Sequence, residues 1–190
     1  MPLKPADVAV ALQLSLRPDA PYRELAAAVG ISHGEAHNAV RRLQAARLLR
    51  AGSRVVKTEA LLEFLIGGVP YAFAVTPGAE VRGVPTAHAA PPLAVDFTDA
   101  DAYVWPSAEG LVRGEALEPL YAGAVHTATM NPALYELLAL VDALRAGRAR
   151  ERQRARDHLR QRLGAAASSS TSIIPMRSRF GVPPSRSAGS

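Results

Sequence analysis

The chain of 190 residues contains no cysteine, which excludes disulfides, thiolate catalysis and cysteine-ligated zinc. Aromatic residues make up only 5%. Lysine is nearly absent: 2 of the 22 basic residues are Lys and 20 are Arg, a bias of coding composition rather than a sign of function. No apolar run reaches membrane-span length, and the opening MPLKPADVAV lacks a signal-peptide core, so the expected location is cytoplasmic. There is no glycine-rich phosphate loop. No catalytic set is expected either. Ser168, Ser169 and Ser170 lie in a small, polar stretch where a nucleophile would lack a rigid base, and Asp99 and Asp101 read as solvated acids. What remains, 48% hydrophobic and 21% charged residues, is ordinary for a soluble globular protein.

Charge is distributed in blocks. Residues 1–60 carry 9 basic and 5 acidic side chains, residues 61–140 carry 2 and 9, and residues 141–190 carry 11 and 3, so the blocks hold +4, −7 and +8. This pattern suggests basic ends that meet polyanions and an acidic middle that does not.

Tyr22 to Leu49 is the most specific stretch. Leu25 and Val29 share one helical face, and Ala26 is small enough to let a second helix approach. Gly30 suits the left-handed residue that ends a helix. Ser32 reads as an N-cap with Glu35 three residues on, a capping box. Ala36, Ala39, Val40 and Leu43 then give a second helix one buried face. His33, Gly34, His37, Asn38, Arg41 and Arg42 fall mainly on its other faces. Short strands at 48–50 and 54–57 around Ala51-Gly52-Ser53 predict a basic hairpin.

These residues resemble the winged helix-turn-helix transcriptional regulators of the broad MarR-like and ArsR-like kind. The likeness rests on Glu24-Leu25-Ala26, Gly30-Ile31-Ser32, Arg42-Leu43 and Ala46-Arg47-Leu48-Leu49, and covers roughly residues 5–68. Two departures stand out: the family often has glycine where Arg47 sits, and the helix after Pro21 has no Ser or Thr cap. The resemblance implies that the second helix enters the DNA major groove. Asn38 can read adenine and Arg41 guanine, with His33, Gly34, His37 and Arg42 beside them. Arg47, Arg50, Arg54 and Lys57 in the helix exit and wing would neutralise phosphates.

His33 and His37 flank Glu35 as H-x-E-x-H, which is not the H-E-x-x-H metalloprotease motif. With no third ligand and Glu35 explained as the capping acid, no metal is expected, and no other cofactor.

The whole chain reads as α+β and mainly helical. Residues 1–68 form the winged helix-turn-helix unit, opening on a helix at 5–16 and closing on one that Thr58 caps and Gly67-Gly68 stops. Residues 69–130 form a small irregular β and loop segment, with strands near 71–76, 103–106 and 111–113. Residues 131–163 are helical, starting at the Asn131-Pro132 cap. Residues 164–190 form a disordered tail. Within the middle segment His88, Tyr103 and Trp105 have two readings, a ligand pocket or a thin aromatic core. The apolar face Leu134, Leu137, Leu138, Val141, Leu144 has two as well, internal core or dimer seam. The Arg-rich helix 148–163 has three: a solvated terminal helix, extra phosphate contacts, or a dock for an acidic protein.

The expected function is a sequence-specific, double-stranded-DNA-binding transcriptional regulator, a dimeric repressor without enzymatic activity or membrane association. Two alternatives accompany it. One is an antitoxin-like regulator whose C-terminal half binds a partner protein. The other is a small-molecule-responsive transcriptional switch.

Overall fold

The computed structural model describes residues 2–98 and 101–171. The fold is α+β and mainly helical, with one small three-stranded sheet. Asp99 and the part of the expected tail from 172 to 190 lie outside the described residues.

Helix α1 (Pro5–Leu16) begins with Pro5 at its first turn, where a missing N–H costs nothing. Its residues from Asp7 to Leu14 are all buried. A helix apolar on every side belongs at the centre of a bundle. Accordingly α1 packs against α2 (Tyr22–Val29), α3 (His33–Ala45), α7 (Pro132–Ala146) and α8 (Ala149–Thr171). One hydrophobic core runs through all of these, from Val8 through Leu43 and Leu65 to Leu140 and Leu163. The changes of character at 68/69 and 130/131 therefore do not interrupt the packing.

The hairpin after α3 is shorter than expected. The proposed strands at 48–50 and 54–57 reduce to a single bridge, Leu49 to Val56. Two further hydrogen bonds close it, Arg50 N–H to the Val55 carbonyl at 2.8 Å and Lys57 N–H to the Leu48 carbonyl at 2.9 Å. Thr58 is the first residue of α4 (Thr58–Glu63), not its cap; Lys57 takes the cap position without a side-chain bond. Gly67-Gly68 does not stop this helix. The chain widens into a π-turn at Phe64–Gly68 and continues as α5 (Val69–Ala72). The strand expected at 71–76 is absent: Tyr71 and Ala72 are helical and residues 74–78 have no regular structure. Pro70 in the first turn of α5 fits a helix N-terminus.

The sheet comprises β1 (Glu80–Thr86), β2 (Tyr103–Pro106) and β3 (Val112–Ala116). β1 is antiparallel to both partners, pairing Thr86 with Tyr103 and Glu80 with Glu115. β2 and β3 pair in parallel, so the sheet closes on itself. Closure this tight brings backbones together: a Cβ on Gly83 would lie 2.2 Å from the Trp105 carbonyl oxygen, and one on Gly110 2.2 Å from the Gly83 carbonyl carbon.

Helix α6 (Ala124–Met130) falls within the segment expected to be irregular. Asn131 caps α7 as expected, its side chain accepting from Leu134 N–H at 3.3 Å. Leu134, Leu137, Leu138, Val141 and Leu144 are each at most 1% exposed, so the apolar face of α7 is internal core and leaves no dimer seam there. Gly147 ends α7, and α8 buries Ala155, Leu159 and Leu163 while turning its arginines outward. α8 runs on to Thr171, so residues 164–171 are helical rather than part of an unstructured tail.

A buried acid joins the sheet to the helices. Asp142 on α7 is 1% exposed. Its carboxylate accepts from Trp105 Nε1–H at 2.6 Å, from the Thr86 hydroxyl at 2.8 Å and from Arg145 at 2.6 Å. Burial pushes its pKa up, against the opposing pull of Arg145, Thr86 and Trp105. Arg145 also donates to the carbonyls of Phe73 at 2.8 Å and Glu118 at 3.3 Å.

Candidate nucleic-acid interface

The α2–α3 turn is built as the local sequence requires. Gly30 ends α2 with φ 71°, where a side chain would be strained. Its N–H reaches the Ala27 carbonyl at 3.2 Å, and Ile31 N–H reaches Ala26 at 3.0 Å. The Ser32 hydroxyl accepts from Glu35 N–H at 3.1 Å. Only that half of the capping box forms, because the Glu35 carboxylate turns to Arg42 at 2.5 Å and Lys4 at 3.4 Å. The hydrogen bond from Arg42 holds the Glu35 carboxyl below the usual carboxylate range. The turn is also supported from behind: the Tyr121 hydroxyl donates to the Val29 carbonyl at 2.8 Å. A Cβ on Gly30 would stand 3.7 Å from Gly123.

Ala36, Ala39, Val40 and Leu43 are buried against α1 and α2. His33, Gly34, His37 and Arg41 are exposed, and Asn38 is half-buried. A Cβ at Gly34 would meet nothing within 4 Å, so the fold itself does not need glycine there. Arg47, Arg50 and Lys57 are exposed nearby.

Arg42 does not belong with them. It is 3% exposed and makes a bidentate pair with Asp7, from Nε at 2.8 Å and Nη2 at 2.7 Å. Asp7 also accepts from Lys4 N–H at 2.8 Å. The Asp7 hydrogen bond raises the Arg42 pKa further still, so this buried guanidinium stays charged. Arg42 lies three residues after Ala39 and seven after Glu35, which puts it on the flank of the buried face. That spacing was a readable signal. The acid opposite it, on another helix, was not.

Arg54 is half committed. Its Nη1 donates to the Ala20 carbonyl at 2.5 Å, and its guanidinium lies 4.9 Å from the centroid of the Tyr22 ring. Tyr22 in turn stacks on His37 at 3.6 Å, and His37 meets His33 edge-on at 4.8 Å. Tyr22, not singled out from the sequence, thus joins the hairpin to the outer face of α3. An aromatic at the first position of α2 was the available clue. Gln44 adds a second tie, its amide donating to the Ser53 carbonyl at 3.1 Å.

Arg47 has φ 60°, a left-handed conformation that favours glycine. Arginine holds this shape here in place of the residue best suited to it.

His88, Tyr103 and Trp105 are 3%, 9% and 0% exposed. Trp105 faces Tyr135 and Asp142. His88 and Tyr103 meet at 4.8 Å and line a polar cavity of about 30 Å³ with Asp101, Glu115, Arg148 and Glu151. That space suits a water molecule. Their arrangement supports the core reading over a ligand pocket. Among the described residues no group of three or more His, Cys, Asp or Glu could hold a metal ion. No helix among them is long and apolar enough to cross a membrane.

No protein-family model, curated protein or solved structure matches the chain.

Proposed function

We propose that the protein is a cytoplasmic transcriptional regulator that binds double-stranded DNA through a winged helix-turn-helix. α3 is the recognition helix and the 48–57 hairpin a short wing. One observation carries this reading. α3 buries one face completely and, around the opposite face, presents His33, His37 and Arg41 with the hairpin's Arg50 and Lys57, none of them ion-paired among the described residues. A rigid helix with hydrogen-bonding side chains outward and cations beside it suits base reading framed by phosphate contacts. Open backbone at Gly34, in the first turn of α3, lets a phosphate approach the helix N-terminus.

Arg41 and Asn38 read bases. Arg47, Arg50 and Lys57 meet phosphates. Arg42 anchors the helix from within. Arg54 and Tyr22 set the wing against α3. Action as a dimeric repressor completes the proposal, since two half-sites one DNA turn apart multiply specificity.

Selection of bound duplexes from a random pool at stated salt tests the reading. An enriched motif supports it. Weak, salt-sensitive binding with no motif sinks it. Arg41→Ala is expected to relax preference at one base position by about 1–3 kcal/mol while leaving the melting temperature unchanged. An unaltered motif would reassign the reading face.

A further inference from the structure

With the apolar face of α7 used up inside the molecule, a dimer needs another surface. A cavity of about 100 Å³ opens between α5 and α8; its lining is mostly polar, with Ile66, Pro70 and Tyr71 as a small apolar rim and the buried Leu144 at its floor. Arg152 and Arg156, one turn apart on α8, form the basic side, and Arg145 closes the base. Arg152 and Arg156 have no acidic partner among the described residues, and the buried Nε of Arg156 has no hydrogen-bond acceptor. Tyr71 is 84% exposed at the rim. Two guanidinium groups without an acid, beside a small apolar rim, suit a carboxylate carried next to an apolar side chain.

The chain has such a group elsewhere on its surface. The turn between β2 and β3 carries exposed Glu109 and then Leu111, which at 95% is the most exposed large apolar side chain among the described residues. The turn is rigid: Gly110 N–H bonds the Ser107 carbonyl at 3.1 Å, Ser107 N–H bonds Arg82 at 3.1 Å, and Gly110 packs on Gly83. A pre-formed tip loses little entropy on docking. The cavity is smaller than the roughly 150 Å³ that accepts a benzene ring, the scale of one aliphatic side chain.

We propose that the α5–α8 cavity of one copy receives the β2–β3 turn of a second copy, Leu111 resting on the rim of Ile66, Pro70 and Tyr71 and Glu109 pairing with Arg152 and Arg156. The acidic middle of each chain then meets α8 of the other, where arginines outnumber acids. Residues 172–190 do not suit the cavity, because they carry Arg177, Arg179 and Arg186 and no acid. A phosphate backbone would meet the arginines but leave the exposed Tyr71 ring and the Leu111 side chain uncovered. The arrangement extends the regulator reading by supplying a second half-site.

Sedimentation velocity over a concentration series, without DNA, tests it on the full chain. The wild type is expected to dimerise reversibly. R152E/R156E and, separately, E109R each place like charges across the contact and weaken association by roughly tenfold or more. Mixed in equal amounts, the two variants regain opposite charges at both contacts and form a heterodimer that neither forms alone. Circular dichroism of each variant establishes that it is folded, and the mixture tests the contact independently of either variant's own stability. A monomeric wild type, a dimer indifferent to both variants, or a mixture that stays monomeric would each overturn the proposal. Dimerisation without DNA selection would refute the regulator reading and leave this one standing.

Discussion

Two buried aspartate–arginine centres hold the molecule, and they differ in how their charges are balanced. Asp7 and Arg42 join α1 to α3 through a bidentate pair, and Glu35 adds a second acid that reaches partly to solvent. Asp142 and Arg145 join α7 to the sheet and to the loops after α5 and β3. There the excess hydrogen-bonding capacity goes to neutral groups, Trp105, Thr86 and two carbonyls. The first centre is a clasp between regular helices. The second replaces regular packing where a small closed sheet meets a helix. Geometry specified by hydrogen bonds is more fragile than geometry specified by apolar contact, because each lost partner leaves another buried group unsatisfied.

The sharpest way to break the contrast is Asp142→Ala, which orphans the Trp105 N–H and the Thr86 hydroxyl and leaves Arg145 without its acid. The expected loss is at the upper end of the about 3–5 kcal/mol typical of a broken buried pair. Thermal unfolding followed by fluorescence of Trp105, the sole tryptophan, should show a lower transition and a red-shifted native spectrum. Arg42→Ala strands Asp7 with only the Lys4 N–H, and should cost about 3 kcal/mol. Its native Trp105 spectrum should stay unchanged, since the damage lies in the other centre. Equal spectral shifts in both variants would show that the two centres are not separable.

Arg47→Gly addresses the left-handed residue at the α3 exit. Relief of an unfavourable φ is expected to stabilise by about 1 kcal/mol, net of glycine's greater freedom when unfolded, which calorimetry can detect. If Arg47 contacts phosphate, the same variant should bind DNA more weakly and reduce the salt slope by about 1. The smallest effect concerns acid. Glu35 titrates below its ordinary 4.5 in the folded chain, so its contribution is present above that value and disappears as pH falls through the folded pKa. Glu35→Gln should therefore flatten part of the stability loss below pH 4.5, and an unchanged acid limb would remove Glu35 from the clasp.

The helices around Gly30 and Ser32 were legible because every signal for them is local: a left-handed residue, a cap, and apolar spacing within two turns. Arg42 was misplaced because the residue that buries it is 35 positions away, and its charge counts equally well for either face. The π-turn and α5 were missed because a Gly-Gly pair is an ordinary stop signal, overridden here by Leu65 and Val69 entering the core. The support of the turn by Tyr121 spans 92 positions and has no local trace. The pairing of β2 with β3 in parallel across a short turn contradicts what a hairpin-like spacing suggests, and only the common partner β1 explains it.

The burial of α1 on every side has a consequence for the order in which the chain is made. Synthesis delivers this helix before α7 and α8, which sheath it, by roughly 7–30 seconds at ordinary elongation rates. Until Leu140 and Leu159 arrive, Val8, Val10, Leu12 and Leu14 have only α2, α3 and the nascent chain to cover them. The interval of greatest risk of aggregation therefore falls on the ribosome, and its length is set by translation speed rather than by the equilibrium stability of the finished fold.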